Sequence, residues 1–285
     1  MQFIGRLVVF LGLCWGCSFG AYAQSVAMVT DLVGKAQIQG DTLKPNVSIL
    51  AEIEADGQVR LEGGATLVAI YLKSGNEYSF RGPALIQFKA AAPVALSGAA
   101  PLQRVPALTK DTQIRIKPVG VVQSALVMRS ARPTARLKLL SPNGAKILDL
   151  NPVFRWRGIE NIITYQFKLT DEAGKTLFET SVEGNALKLP PQVSLKESTP
   201  YTWEIAARTA DGSRYSSVGD FAVAPGDLRA RVESLRPQKD WQLSERVAFA
   251  AWLEQLELKE EARKYWKGLS AERPEDDRLK TLVAE

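Results

Sequence analysis

Two stretches decide the fold: Tyr165-Gln166-Phe167-Lys168-Leu169 and Tyr201-Thr202-Trp203-Glu204-Ile205-Ala206-Ala207. In each, large apolar side chains take every second position, the period that places successive residues on opposite faces of a strand. The pattern continues outward from both. Ser141-Pro142-Asn143-Gly144 reads as a turn, and Val153, Phe154 and Trp156 follow Pro152. Asp171-Glu172-Ala173-Gly174 turns the chain into Leu177-Phe178, Leu187, Leu189 and Leu195 lead on to Tyr201, and Phe221 and Val223 finish the set. Short alternating strands broken by turn residues at roughly ten-residue intervals predict a β-sandwich over residues 136–225, with Trp156 and Trp203 in its core.

Ser141-Pro142, Pro152-x-Phe154-x-Trp156, Tyr165-x-Phe167 and Leu195 ahead of Tyr201-x-Trp203 resemble the fibronectin type III and immunoglobulin-like modules of bacterial envelope proteins. The antibody-type disulfide is excluded, because this region has no cysteine.

Residues 24–100 also read as β. Ala27 to Val33 and Lys35 to Gln39 flank Gly34, and Thr66 to Leu72 is an apolar, β-branched run. Gly75-Asn76 suits a hairpin turn into Glu77-Tyr78-Ser79-Phe80, because glycine enters positive φ without steric cost. Leu85-Ile86-Gln87-Phe88 alternates, and Gly63-Gly64 and Gly82-Pro83 mark further turns. Val33-Gly34-x-Ala36-x-Ile38, Leu50-Ala51-Glu52-Ile53, Gly64-Ala65, Tyr71-Leu72-Lys73-Ser74-Gly75 and Gly82-Pro83-Ala84 together resemble the periplasmic FecR-type domain. Founding members of that family carry an anti-sigma segment and a membrane helix ahead of the domain. This chain has a cleavable signal there, so a sigma-regulating role does not carry over.

Residues 101–135 form a connector of different composition. Pro101, Pro106, Pro118 and Pro133 punctuate it, and its charges are almost all basic. Thr112-Gln113-Ile114-Arg115-Ile116-Lys117 alternates as an added strand, with Arg115 and Lys117 sharing a face. Arg104, Arg115, Lys117, Arg129, Arg132 and Arg136 are a candidate strip for an anionic ligand, against the alternative of a solvated connector.

From Asp227 the period turns helical. Ser244 is placed to cap a helix through Val247, Ala250, Leu253 and Leu256, and a second helix runs from Lys259 to about Ala271 with Ala262, Trp266 and Leu269 on one face. Pro274 ends it, and Glu275 to Val283 can form a short third helix. Ala250, Leu253, Ala262, Trp266 and Pro274 resemble the signature positions of one tetratricopeptide unit. A lone unit is too small to stand unsupported, so residues 226–285 are expected to pack as a helical hairpin on the sandwich or against a partner. Trp241, Trp252 and Trp266 are either the core of that hairpin or a partner-binding patch.

The chain opens as an export signal. Arg6 supplies a positive start, Leu7 to Leu13 an apolar run shorter than a bilayer span, and Ala21-Tyr22-Ala23 a small-x-small cleavage pattern. Residues 1–23 are therefore read as a signal peptide, leaving a mature chain from Gln24 without a transmembrane anchor. Cys14 and Cys17 depart with it, so the mature fold has no disulfides.

The chain contains no histidine, which excludes Ser-His-Asp and Cys-His catalysis and, with no mature cysteine, zinc sites of the usual kind. No Walker loop or dinucleotide glycine fingerprint appears. The net charge of +5 is mildly basic. The expectation is a mainly β, non-enzymatic envelope protein, periplasmic or secreted and soluble, that acts as a structural or protein-interaction module. Its partner would be another envelope protein; the alternative is peptidoglycan or another anionic glycan held by the basic strip. A carboxylate-based hydrolase is a third reading, with no residue pair to name for it. No cofactor, metal or nucleic acid is expected.

Overall fold

The computed structural model describes residues 24–40, 46–110, 116, 137–160, 162, 164–210, 212–238 and 240–284. The chain is mainly β, in largely antiparallel sheets, with all but one short helix gathered at its C-terminal end among the described residues.

The first β unit comprises β1 (Ser25–Val33), β2 (Ala36–Ile38), β3 (Glu52–Glu54), β4 (Gly57–Leu61), β5 (Thr66–Tyr71), β6 (Glu77–Arg81), β7 (Ala84–Phe88), β8 (Pro93–Ser97) and β9 (Leu102–Arg104). They form two sheets, in the orders β3-β1-β5-β6-β9 and β2-β4-β7-β8. Alternation divides the β1–β5 pair between two cores. Ala27, Val29, Ala69 and Tyr71 face the second sheet, whereas the paired Met28 and Ile70 face the other way and are as deeply buried. The first sheet is therefore a middle layer, covered on both faces. Gly75, at φ +73°, turns β5 into β6, and a Cβ there would lie 2.7 Å from the Thr109 Cβ, so only glycine fits. Thr109 belongs to the short helix α1 (Ala107–Lys110), and its hydroxyl donates to the Gly75 carbonyl at 2.8 Å.

Composition alone assigns residues 101–135 to a connector, yet β9 is a strand of the first sheet and α1 packs beside it. The expected strand over Thr112–Lys117 lies outside the described residues except for Ile116, which is buried in a core that holds residues of the first β unit and of the C-terminal helices.

The second unit comprises β10 (Leu139–Ser141), β11 (Ala145–Ile147), β12 (Val153–Trp156), β13 (Thr164–Asp171), β14 (Thr176–Glu183), β15 (Ala186–Lys188), β16 (Pro200–Arg208) and β17 (Arg214–Val223). Their sheet orders are β10-β12-β15 and β11-β17-β16-β13-β14, with β11 parallel to β17. This is the sandwich expected from the alternation. Phe154 is its hub, with ring centroids 4.8 Å from Phe167, 5.2 Å from Trp203 and 5.6 Å from Phe221. Trp203 is fully buried, and its indole N–H donates to the Pro142 carbonyl at 2.7 Å. The Tyr201 hydroxyl accepts the Lys196 N–H at 2.7 Å, tying the start of β16 to the chain just upstream.

The helices are α2 (Gly226–Ser234), α3 (Leu243–Gln255), α4 (Lys259–Glu272) and α5 (Asp277–Ala284). α3 is buried on nearly every side from Leu243 to Leu253, and its run from Val247 to Leu253 is apolar all round. The expected Ser244 cap is not formed. Gln242 precedes the helix, and Ser244 lies within it, its hydroxyl 3.4 Å from the Arg104 guanidinium.

These helices pack chiefly on the first β unit. Met28, Ile49, Leu50 and Ile70 share one core with Val247, Phe249, Leu253 and Trp266. Polar contacts rim it: Arg273 makes a two-point pair with Asp31, both contacts at 3.1 Å, and the Asp276 carboxylate accepts the N–H of Leu279 at 3.0 Å and of Ile49 at 2.8 Å. One side chain thus caps α5 and ties it to the first unit. Toward the sandwich the contacts are sparser and more polar, namely Lys146 with Glu257, Ser141 with Glu260 and Glu197 with Arg229, beside the apolar Ala224 and Leu148. Among the described residues, no helix is long and apolar enough to cross a membrane.

Candidate interaction surface

Of the basic strip, Arg104 alone falls among the described residues; Arg115, Lys117, Arg129, Arg132 and Arg136 lie outside them. Arg104 is not held free for a ligand. Strand β9 lays it against Glu77 of β6, at 2.6 and 2.8 Å, and α3 brings Glu245 to 3.5 Å. Glu77 and Glu245 are buried, and Glu245 also accepts the Ala107 N–H at 3.2 Å. The guanidinium therefore joins β6 to α3, and Glu245 carries the link on to α1, because two carboxylates withdrawn from water need a cation beside them.

The three tryptophans divide. Trp266 is fully buried and donates its indole N–H to Glu254 at 3.1 Å, while Trp252 is 5% exposed, packs on Phe249 at 5.7 Å and lies 6.0 Å from the Arg231 guanidinium carbon. Both are spent in the shared core and offer a partner no surface. Trp241, ahead of α3, is half-buried. The partner-patch reading thus fails for Trp252 and Trp266.

An open groove of ≈ 470 Å³ runs between the sandwich and α2, lined by Leu148, Glu197, Gly226, Arg229, Glu233 and Arg236. Its charges already meet one another. Glu197 pairs with Arg229 at 2.6 Å, and Arg236 with Glu233 at 2.9 Å. Glu197 also sits against Gly226, the first residue of α2, where the helix dipole favours an anion, so the protein's own carboxylate occupies that position.

Two carboxylates one turn apart respond oppositely to their surroundings. Glu257 is held below the usual carboxylate range by the Lys146 ammonium, while burial pushes Glu260 up against the opposing pull of its Ser141 hydrogen bond at 2.6 Å. Sequence reading missed these junction residues, along with Asp31, Arg273 and Asp276. Each is an ordinary surface charge by type, and its partner is remote in the chain. No group of three or more His, Cys, Asp or Glu side chains among the described residues is arranged to hold a metal ion.

No family model matches the chain, and no curated protein matches it. Among solved structures it is similar to the crystal structure of CopC from Methylosinus trichosporium OB3b, at 15% identity and a TM-score of 0.25, over 32% of this chain and 95% of that one. That likeness is too slight to assign a ligand or a role.

Proposed function

We propose that the chain is a non-enzymatic, exported envelope scaffold, in which the first β unit and the C-terminal helices form one body that holds the sandwich for contact with another envelope protein. The observation that carries this reading is the shared core: residues near the two ends of the chain, Met28 and Trp266 among them, are buried in a single cluster, while the sandwich keeps a core of its own. A body built so is suited to positioning a module.

The first unit is read as FecR-like, on the motifs Val33-Gly34-x-Ala36-x-Ile38 and Gly82-Pro83-Ala84. The sandwich is read as fibronectin- or immunoglobulin-like, which the Tyr201–Lys196 hydrogen bond at 2.7 Å supports, because a tyrosine at that corner bonds back to the chain upstream. The α3–α4 pair is read as a single tetratricopeptide-like unit, consistent with the burial of Ala250, Leu253, Ala262 and Trp266.

The test is photo-crosslinking in intact cells from a reactive residue at Lys168, Glu204 or Val218, which lie in one row across the sandwich sheet. A discrete adduct with one envelope protein is expected, and absence of any adduct from all three positions overturns the reading. The alternative, anionic-glycan binding, predicts that the chain pellets with purified cell-wall sacculi at low salt and is released as salt rises. Reversal of Arg115 and Lys117 would then abolish pelleting.

A further inference from the structure

The smaller sheet of the sandwich, β10-β12-β15, buries Phe154 and Trp156 on its inner face. Alternation around those two rings turns Arg155 and Arg157 outward, and alternation around the half-buried Leu187 turns Lys188 outward. Lys138 joins them, because its carbonyl accepts the Arg157 N–H at 2.8 Å, and all four cations are exposed. Arg155 and Lys188 are diagonal neighbours across the β12–β15 ladder, which places them about 7–8 Å apart. Among the described residues none of the four makes an ion pair, and the three strands contain no carboxylate. The acids near them in the chain lie outside these strands: Asp149, which accepts the Asn151 N–H at 2.8 Å, Glu160 and Glu183.

The outer face of the larger sheet differs. There Lys168 stands between Glu179 and Glu204, and Asp220, Arg208 and Arg214 add both signs. A face turned only to water ordinarily interleaves its charges in this way. The smaller sheet carries one sign alone, together with Leu140, the extra residue of a bulge in β10, which is 41% exposed.

We propose that this face seats the protein on an anionic phospholipid surface, with Leu140 entering the headgroup layer among Lys138, Arg155, Arg157 and Lys188. Charge complementarity gives the sign of the occupant, and the make-up of the face gives its kind. The cations spread across the width of an open sheet, as contact with an extended surface requires. A sugar polymer would find no aromatic platform, since Phe154 and Trp156 are both turned into the core. Long basic side chains instead lay their stems along apolar surface and hold their heads at a membrane interface, where an exposed leucine also finds apolar surroundings. Each such cation strengthens binding about fivefold, and salt screens the attraction. The larger sheet then faces away from the membrane, and lipid binding does not depend on whether that sheet meets a protein partner.

The experiment is flotation of the chain from Gln24 onward with vesicles of phosphatidylcholine alone or mixed with phosphatidylglycerol, across a salt series. Flotation with the mixed vesicles at low salt is expected, with release as salt rises and none with the neutral vesicles. Arg155→Glu with Lys188→Glu should weaken it by about tenfold or more. Arg208→Glu with Arg214→Glu, which changes the net charge equally on the larger sheet, should weaken it far less. Leu140→Cys supplies the one thiol of the chain from Gln24. A polarity-sensitive fluorophore on it should shift to the blue with mixed vesicles, whereas the same probe at Val218→Cys should not. No flotation with mixed vesicles, equal losses from the two charge reversals, or a probe at Leu140 that stays in water overturns the proposal. Pelleting with purified sacculi in place of flotation overturns it too, and assigns the face to a glycan.

Discussion

Glu257 holds Lys146 at two points: its backbone carbonyl accepts the Lys146 N–H at 2.8 Å, and its carboxylate meets the Lys146 ammonium at 2.8 Å. It does so from a φ of +63°, just past the C-terminal end of α3, where glycine is the usual residue. The left-handed conformation costs a residue with a Cβ roughly 1 kcal/mol. Glu257→Gly removes that strain together with the ion pair, while Glu257→Ala removes the pair and keeps the strain. The glycine variant is therefore expected to be the more stable of the two by about 1 kcal/mol in urea unfolding. Equal stabilities would mean that the turn relaxes without its glutamate.

The neighbouring Glu260 sets an opposite dependence on pH. Its folded pKa is raised by burial, so the stability linked to it is fully present below the ordinary glutamate value and is lost as pH rises through the folded value. Glu257 is lowered by its Lys146 pair, so its contribution is present above the ordinary value and is lost as pH falls through the folded one. Titration of both carboxyls by NMR should place Glu260 above Glu257. Glu260→Gln, which keeps an acceptor for Ser141, should stabilise the chain at neutral pH and lose that advantage in acid.

Asp276 serves a helix cap and a link between units with the two oxygens of one carboxylate. Asp276→Ala is expected to cost about 1–2 kcal/mol. Amide exchange should quicken at Leu279 and at Ile49 together, although the two lie in different units. Exchange that quickens at Leu279 alone would show that the link to Ile49 carries no weight.

Truncating Trp266 tests the shared core. Trp266→Ala is expected to cost about 3–5 kcal/mol and to lower the melting of the first β unit along with the helices. Trp203→Ala should cost a similar amount but act on the sandwich, whose core is separate. Calorimetry of the two variants should show different parts of the unfolding profile displaced.

The sandwich was legible because the alternation through Tyr165, Phe167, Trp203 and Ile205 is local and regular, and a buried face imposes it directly. α4 was legible for the same reason, its Ala262, Trp266 and Leu269 marking a single apolar face. α3 was only half legible. Its stripe showed a helix, but nothing local shows that three other elements close around it. α2 left little trace, having Val232 as its one buried residue. The junction was beyond reach of sequence reading, because Asp31 and Arg273 lie 242 residues apart and neither residue type marks its partner. The basic strip misled at Arg104, where composition reports a charge but not the two carboxylates that consume it.

The cluster holding Met28 and Ile70 against the C-terminal helices also governs the order in which the protein can be completed. Synthesis delivers the first β unit early, yet the residues that cover its outer face are made only after the sandwich. Until then the apolar side chains of Met28, Ile49, Leu50 and Ile70 lack their cover, while the sandwich, whose core is its own, can fold in the interval. A ribosome that stalls before α3 therefore releases a chain with one finished domain and one adhesive one, a substrate for holding chaperones and proteases.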